Sequence, residues 1–193
     1  MSNLNREEIL FLFKRTGALL EGHFELSSGL HSPRYLQCAK VLQHPTYAFK
    51  LCQKLTKSLN VKEIDVVIGA ATGGIIISFL MSYFLGKRSI FAERREEKLL
   101  LRRGLEVKKG EKVLVMEDVI TTGQTVLEMI ELVKQKGGEV AGIGAIVNRS
   151  KDLKTIAGFK VASLLEMDVP TYKKKDCPLC EKNIPITKPG SKK

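Results

Sequence analysis

Between Asp65 and Arg149 the chain alternates apolar runs of strand length with segments of helical periodicity, and few architectures accept that order. "DVVIGAATGG" reads as a buried strand entering a Gly-rich loop, and Ile75 to Leu85 as a helix. "SIFAER" is a strand, followed by the charged run "REEKLLLRRG". "KVLVMEDV" is another strand, "TTGQTVLEMIELVKQKGG" a loop and helix, and "EVAGIGAIVNR" a further strand. In the last of these helices Val126, Met129, Ile130 and Val133 share one face, and Gly137-Gly138 ends it. Strands separated by helices point to parallel neighbours, because a parallel pair needs a long crossover. The fold class expected is therefore α/β, a central mainly parallel sheet flanked by helices on both faces.

The preceding residues add an N-terminal helix and hairpin region. Leu4 to Lys14 alternate apolar and charged positions at helical spacing, with Gly17 just beyond. "GHFELSSGLHSPRYLQCAKVL" has turn chemistry in its middle and β-type alternation at both ends, and a second helix fits His44 to Leu59. With 193 residues there is room for one substantial core and little for two. The expected plan is one domain over residues 1–170, with the helix and hairpin region at about 1–45, the sheet core at about 60–170, and a basic tail at 171–193. The longest apolar stretch, Ile75 to Leu85, carries two serines and is too short to span a bilayer. No signal peptide is visible and four cysteines do not read as a disulfide framework, so a cytoplasmic location is expected. The net charge of +11 suits an anionic partner, but the tail holds seven lysines against Asp176 and Glu181 and so supplies +5 of it.

Ligands of open parallel sheets sit beyond the carboxyl ends of the strands, where two loops fall here. "GAATGG" (69–74) follows one strand and "TTGQT" (121–125) another, each leading into a helix N-terminus whose free N–H groups favour an anion. Gly73, Gly74 and Gly123 allow close backbone approach to a phosphate. Glu117 and Asp118 end the strand before the second loop and would repel a bare phosphate. They suit a ligand that also offers hydroxyls or carries a metal, and the combination points to a sugar phosphate. Neither loop matches the P-loop or the dinucleotide fingerprint, which disfavours an NTPase or a dinucleotide enzyme.

"VMEDVITTGQT" resembles the ribose 5-phosphate motif of type I phosphoribosyltransferases. With "GHFELSSGLHSPRY", "GAATGG", "AERREEK" and "AIVNR", the chain is similar to the orotate phosphoribosyltransferases in particular, over residues 15 to 150. The resemblance implies the fold of that family, with residues 1–45 contributing a hood, and transfer of ribose 5-phosphate from phosphoribosyl diphosphate to orotate in pyrimidine (UMP) synthesis. By the same resemblance, the diphosphate donor would contact Glu117, Asp118, Val119, Ile120, Thr121, Thr122, Gly123, Gln124 and Thr125, and Ala71, Thr72, Gly73 and Gly74 would cradle its diphosphate. Thr121, Tyr35 and Arg149 would meet orotate, the last through its carboxylate. Arg94, Arg95, Lys98 and Asp118 would serve catalysis. Mg2+ would be held mainly through the diphosphate substrate rather than by a dense protein ligand set, so no metal-ligating residues are assigned. A homodimer is implied, with the loop around 94–103 reaching the neighbouring active site.

Departures from the family pattern lie at Leu100, where a His is usual; at Ser27, where a Lys is common; at Tyr35-Leu36, where an aromatic pair is common; and at Thr72-Gly73 in place of Tyr-Lys. Two other readings compete: a phosphoribosyltransferase for another base, and a regulator of the same fold that binds RNA or DNA and senses the diphosphate. Arg149 argues against a neutral purine, and no helix-turn-helix precedes Val66. Cys177-Pro-Leu-Cys180 has the spacing of half a zinc site, yet Cys38 and Cys52 do not form a second pair and His23, His31 and His44 are scattered in sequence. The expectation is a thiol pair, packed or free, in a solvated tail, with structural or surface histidines. Nucleic acid is not the expected partner of "YKKKDC", which carries one aromatic and no reader motif.

Overall fold

A computed structural model describes residues 4–26, 28–150 and 152–189. Helix α1 (Arg6–Arg15) starts at a capping box, in which Asn5 and Glu8 satisfy each other's backbone N–H groups, and buries Ile9 and Phe13. An antiparallel hairpin follows, β1 (Leu19–Glu25) against β2 (His31–Leu36). Then come α2 (Ala39–Leu42) and α3 (Pro45–Ser58), the latter opened by Pro45 at a position that needs no N–H donor.

The second sheet is the scaffold of the molecule. Its strands are β3 (Val66–Ala70), β4 (Arg88–Arg95), β5 (Lys98–Leu101), β6 (Lys112–Ile120), β7 (Glu139–Asn148), β8 (Thr155–Ile156) and β9 (Phe159–Glu166), in the order β5-β4-β3-β6-β7-β9-β8. The five central strands pair in parallel, with antiparallel β5 and β8 at the edges. Helices α4 (Gly73–Leu85) and α5 (Gln124–Gln135) make the crossovers. Period-two alternation divides the strand side chains between two cores. Val67, Leu114 and Met116 face α1, α3 and α4, packing with Phe13, Leu55 and Met81. Val66, Ile68, Val113 and Val115 face α5, packing with Val126, Met129 and Val133. Among the described residues no helix is long and apolar enough to cross a membrane.

Three expectations change. The charged run after "SIFAER" forms a strand hairpin rather than a loop: Arg94 and Arg95 end β4, and Lys98 opens β5. Glu96 and Glu97 turn it with φ of 46° and 66°, the left-handed pair that matches strand twist in a two-residue turn. Buried Leu99 ties this hairpin to the α5-side core. The strand β9 has no counterpart in the sequence reading; its burial is patchy, so its apolar pattern is weak. The tail from 171 is not a solvated linker either. Tyr172 bridges His31, Thr187 bridges Phe24, and Cys177 is fully buried.

Candidate active site

β6 carries the site's acids. It runs beneath both helix layers until its C-terminal end, where Glu117 and Asp118 reach the edge of the packed interior. Glu117 is only 8% exposed. Burial, and then the neighbouring Asp118, push its carboxyl up from the usual 4.5 to about 8. Asp118 Oδ1 accepts from the Val119 N–H at 2.8 Å. At Gly73, the first residue of α4, an added Cβ would lie 2.3 Å from Asp118 Oδ2. A side chain at this position would require the Asp118 carboxylate to turn aside, and glycine lets the "GAATGG" loop lie against the acid pair as it stands. The Ala71–Thr72 peptide in that loop is cis.

The second loop turns at Gly123, whose φ of 81° is left-handed, and α5 starts directly behind it. Thr121 and Thr122 are exposed ahead of that N-terminus. They line a cavity of about 610 Å³ with Arg149 and Tyr35, closed on its far side by Glu25, Leu26, Ser28, Leu30 and Gln37 of the hairpin and by Val169, Thr171, Lys188 and Pro189 of the tail. Arg149 follows β7, its N–H bonded to the Ile120 carbonyl at 2.8 Å, so the strand pair β6–β7 sets its position. Its Nε is buried with no hydrogen-bond partner among the described residues, and burial lowers its pKa. A guanidinium N–H buried without an acceptor is costly, and a ligand carboxylate would satisfy it.

The other candidates are divided. Arg94 donates to Glu128 Oε2 of α5 at 2.6 Å, and Glu128 also accepts from Gln124 at 3.2 Å, so the β4–β5 hairpin is tied to the helix behind the phosphate-type loop. The positive charge of Arg94 also reaches Glu117 and partly offsets its raised pKa. Arg95 and Lys98 face each other at the hairpin's end and do not line the cavity; Lys98 lines a separate depression against Glu128 and Glu131. Arg102 and Arg103 pair with Glu93. Ile120 is 1% exposed in the α5-side core and Val119 packs against the other core, so their side chains support the strand rather than face a ligand. Ser27 lies outside the described residues. Cys38 and Cys52 are buried thiols whose pKa values burial raises, which makes them inert. The sequence reading missed Glu25, Gln37 and Lys188 in the cavity wall; Lys188 is paired with Glu25 at 2.7 Å, a long-range contact with no local signal.

The phosphoribosyl transferase domain family matches residues 39–169. An orotate phosphoribosyltransferase of Desulforamulus reducens is 51% identical over 98% of both chains. The chain belongs to the orotate phosphoribosyltransferase family. Another orotate phosphoribosyltransferase, from Caldicellulosiruptor bescii, is 50% identical over 98% of this chain and 100% of its own. The crystal structure of orotate phosphoribosyltransferase from Aeropyrum pernix superimposes with a TM-score of 0.70 at 25% identity, covering 82% of this chain and 93% of that one. Against the orotate phosphoribosyltransferase pattern, Leu100 at the usual His position is a half-exposed residue on β5.

The raised Glu117 pKa has a thermodynamic consequence. An unfolded Glu117 releases its proton near 4.5, whereas the folded chain keeps it to about 8. Below the lower value both states are protonated and stability is unaffected; between the two values the unfolded chain binds fewer protons, so stability falls as pH rises. Crediting half the shift gives about 2 kcal/mol, lost progressively as pH rises from about 4.5 towards 8. Thermal melts of ligand-free protein across this range should show the decline, and Glu117→Gln should flatten it. A wild-type curve that stays level from pH ~5 to ~9 would remove Glu117 as a protonated acid.

Proposed function

We propose that this chain transfers ribose 5-phosphate from phosphoribosyl diphosphate to orotate, forming orotidine 5′-phosphate and diphosphate in pyrimidine nucleotide synthesis. The observation that carries the reading is Arg149: a planar cation with a buried, unpartnered Nε, in the same cavity as Thr121 and Thr122. Orotate offers a carboxylate to such a fork, and a neutral purine does not. Identity of about half the residues to named orotate phosphoribosyltransferases supports the same substrate.

In this reading Glu117 and Asp118 accept from the ribose hydroxyls. The 5-phosphate rests on the backbone from Thr121 to Thr125 at the N-terminus of α5, where N–H groups point outward. Ala71 to Gly74 approach the diphosphate, with Gly73 held against Asp118. Tyr35 and Thr121 flank the orotate ring. The C1–O bond to diphosphate breaks with its electron pair leaving on diphosphate, while a ring nitrogen of orotate bonds to C1 from the opposite face and gives up its N–H proton to solvent or to the departing diphosphate. The transition state is oxocarbenium-like, so the residues contribute alignment and charge placement rather than covalent chemistry. Two adjacent carboxyls at a strand end, where burial and mutual repulsion raise the pKa of Glu117, fit a nearby divalent cation whose charge would favour their ionised forms. Mg2+ bound with the donor would neutralise the departing diphosphate; Glu117 and Asp118 are the side chains that would sit near it.

Arg94, Arg95 and Lys98 belong to the same proposal as cations of a projecting hairpin. In a homodimer the segment 94–103 would reach the neighbouring subunit's site, where the leaving group needs positive charge. The plan of one domain over 1–170 and a cytoplasmic location complete the reading. Purified protein with orotate, phosphoribosyl diphosphate and Mg2+ should consume orotate absorbance, while uracil, hypoxanthine and adenine should not replace orotate. Untouched orotate, with RNA retained by the protein at moderate salt, would instead make it a regulator.

A further inference from the structure

Four side chains unrelated to the catalytic cavity converge where the tail crosses the hairpin. His23 on β1 and His31 on β2 are 4% exposed, and Cys177 is fully buried. Because His31 pairs with Glu25, two residues beyond His23, the imidazoles are diagonal neighbours on one face of the hairpin. Cys177 and Cys180 come from the "CPLC" turn, in which Pro178 opens the one-turn helix α6 (Pro178–Glu181) and brings both sulfurs to the same side. One ligand atom from each of the four lies within 4.8 Å of all the others.

The individual distances describe a small polyhedron. Cys180 Sγ is 3.2 Å from His31 Nδ1 and 3.7 Å from His23 Nε2; Cys177 Sγ is 3.6 Å from His23 Nε2, and the two ring nitrogens are 2.9 Å apart. Tetrahedral zinc with bonds of ~2.3 Å to sulfur and ~2.05 Å to nitrogen has S···N edges of about 3.6 Å and an N···N edge of about 3.4 Å. These four edges lie within about half an ångström of those values, so only small side-chain shifts separate the arrangement from a filled site. The tautomer is also set. His23 Nδ1 is 2.8 Å from the Ile184 carbonyl, which can only accept, so Nδ1 carries the hydrogen and Nε2 presents its lone pair to the cluster.

We propose that His23, His31, Cys177 and Cys180 bind one structural Zn2+. Two thiolates and two imidazoles form a closed, soft ligand set that favours zinc over the hard cation suited to the catalytic acids. All four positions are filled by protein, which leaves none for a substrate. The metal clamps the tail to the hairpin, and that hairpin and tail supply the outer wall of the cavity through Glu25, Leu26 and Lys188. Backbone bonds from Tyr172 to His31 and from Thr187 to His23 run on either side of the clamp. The site stands independently of the catalytic reading.

Elemental analysis of the full chain, purified under reducing conditions without chelator, should find one zinc per chain. A thiol-specific mercurial should release it in step with modification of Cys177 and Cys180. Replacing zinc by Co2+ should produce the visible d–d bands of a tetrahedral site and a thiolate charge-transfer band. Cys177→Ser with Cys180→Ser, and separately His31→Ala, should lose the metal, and removing it should open the lysines of 173–182 to trypsin. Wild-type protein that holds no zinc and shows no cobalt bands would overturn the proposal, as would an intact mass two hydrogens short from a Cys177–Cys180 disulfide in the metal-free chain.

Discussion

Arg149→Ala is expected to raise the Michaelis constant for orotate by roughly 100-fold, while that for phosphoribosyl diphosphate moves by less than about threefold. Removing a charge-assisted, two-pronged contact to a carboxylate costs on the order of 3 kcal/mol, and each 1.4 kcal/mol is tenfold. The loss is selective because Arg149 enters the cavity from the end of β7, whereas the donor's proposed contacts lie on β6 and in the loops that follow β3 and β6. Arg149→Lys should recover little, since an ammonium cannot replace the planar fork. Asp118→Asn should reverse the pattern, impairing use of the donor far more than of orotate. Steady-state kinetics with each substrate varied in turn reads both outcomes; equal effects of the two variants on both substrates would contradict the assignment.

Gly69→Ala should be the most damaging single-methyl change in the chain. Its added Cβ would lie 2.1 Å from the Gly74 carbonyl oxygen and 2.5 Å from the carbonyl carbon. Both are backbone, so no rotamer relieves the overlap, and β3 must separate from the first turn of α4. Overpacking of this kind costs about 3 kcal/mol, and in a chain of this size each kcal/mol lowers Tm by roughly 2–4 °C, giving a drop of about 6–12 °C. Donor binding should fail as well, because the moving segment is the "GAATGG" loop. Gly86→Ala is the control: it has a left-handed φ of 63° but open space around it, so its cost should be about 1 kcal/mol, with activity kept. A Gly69→Ala protein melting within about 2 °C of wild type would show that the β3–α4 approach is soft.

The legible parts share a short range. The strands β3, β6 and β7 could be read from runs of apolar residues, and α5 from Val126, Met129, Ile130 and Val133, because burial on a sheet or helix imposes a period that neighbours in sequence carry. The acid pair and "TTGQT" stood out for the same reason: a strand end, a turn and a helix start follow one another along thirteen residues. The β4–β5 hairpin was hidden because its turn is made by Glu96 and Glu97, residues that rarely adopt positive φ and carry none of the usual Asn-Gly signal. Likewise β9 was hidden by a burial pattern that follows neither period.

By itself the sequence determined the parallel α/β plan, the family, and the order in which acid pair, phosphate-type loop and Arg149 occur. Each of these is written in residues close together, or in motifs compared whole. Only the tertiary structure decided that Arg149 and Tyr35 share one cavity with Thr121, that the Asp118 carboxylate lies against Gly73, and that two histidines of the hairpin meet two cysteines more than 140 residues away. Such meetings depend on how strands pair and where the tail returns, and pairing is set by the total burial of the fold rather than by any segment's own pattern.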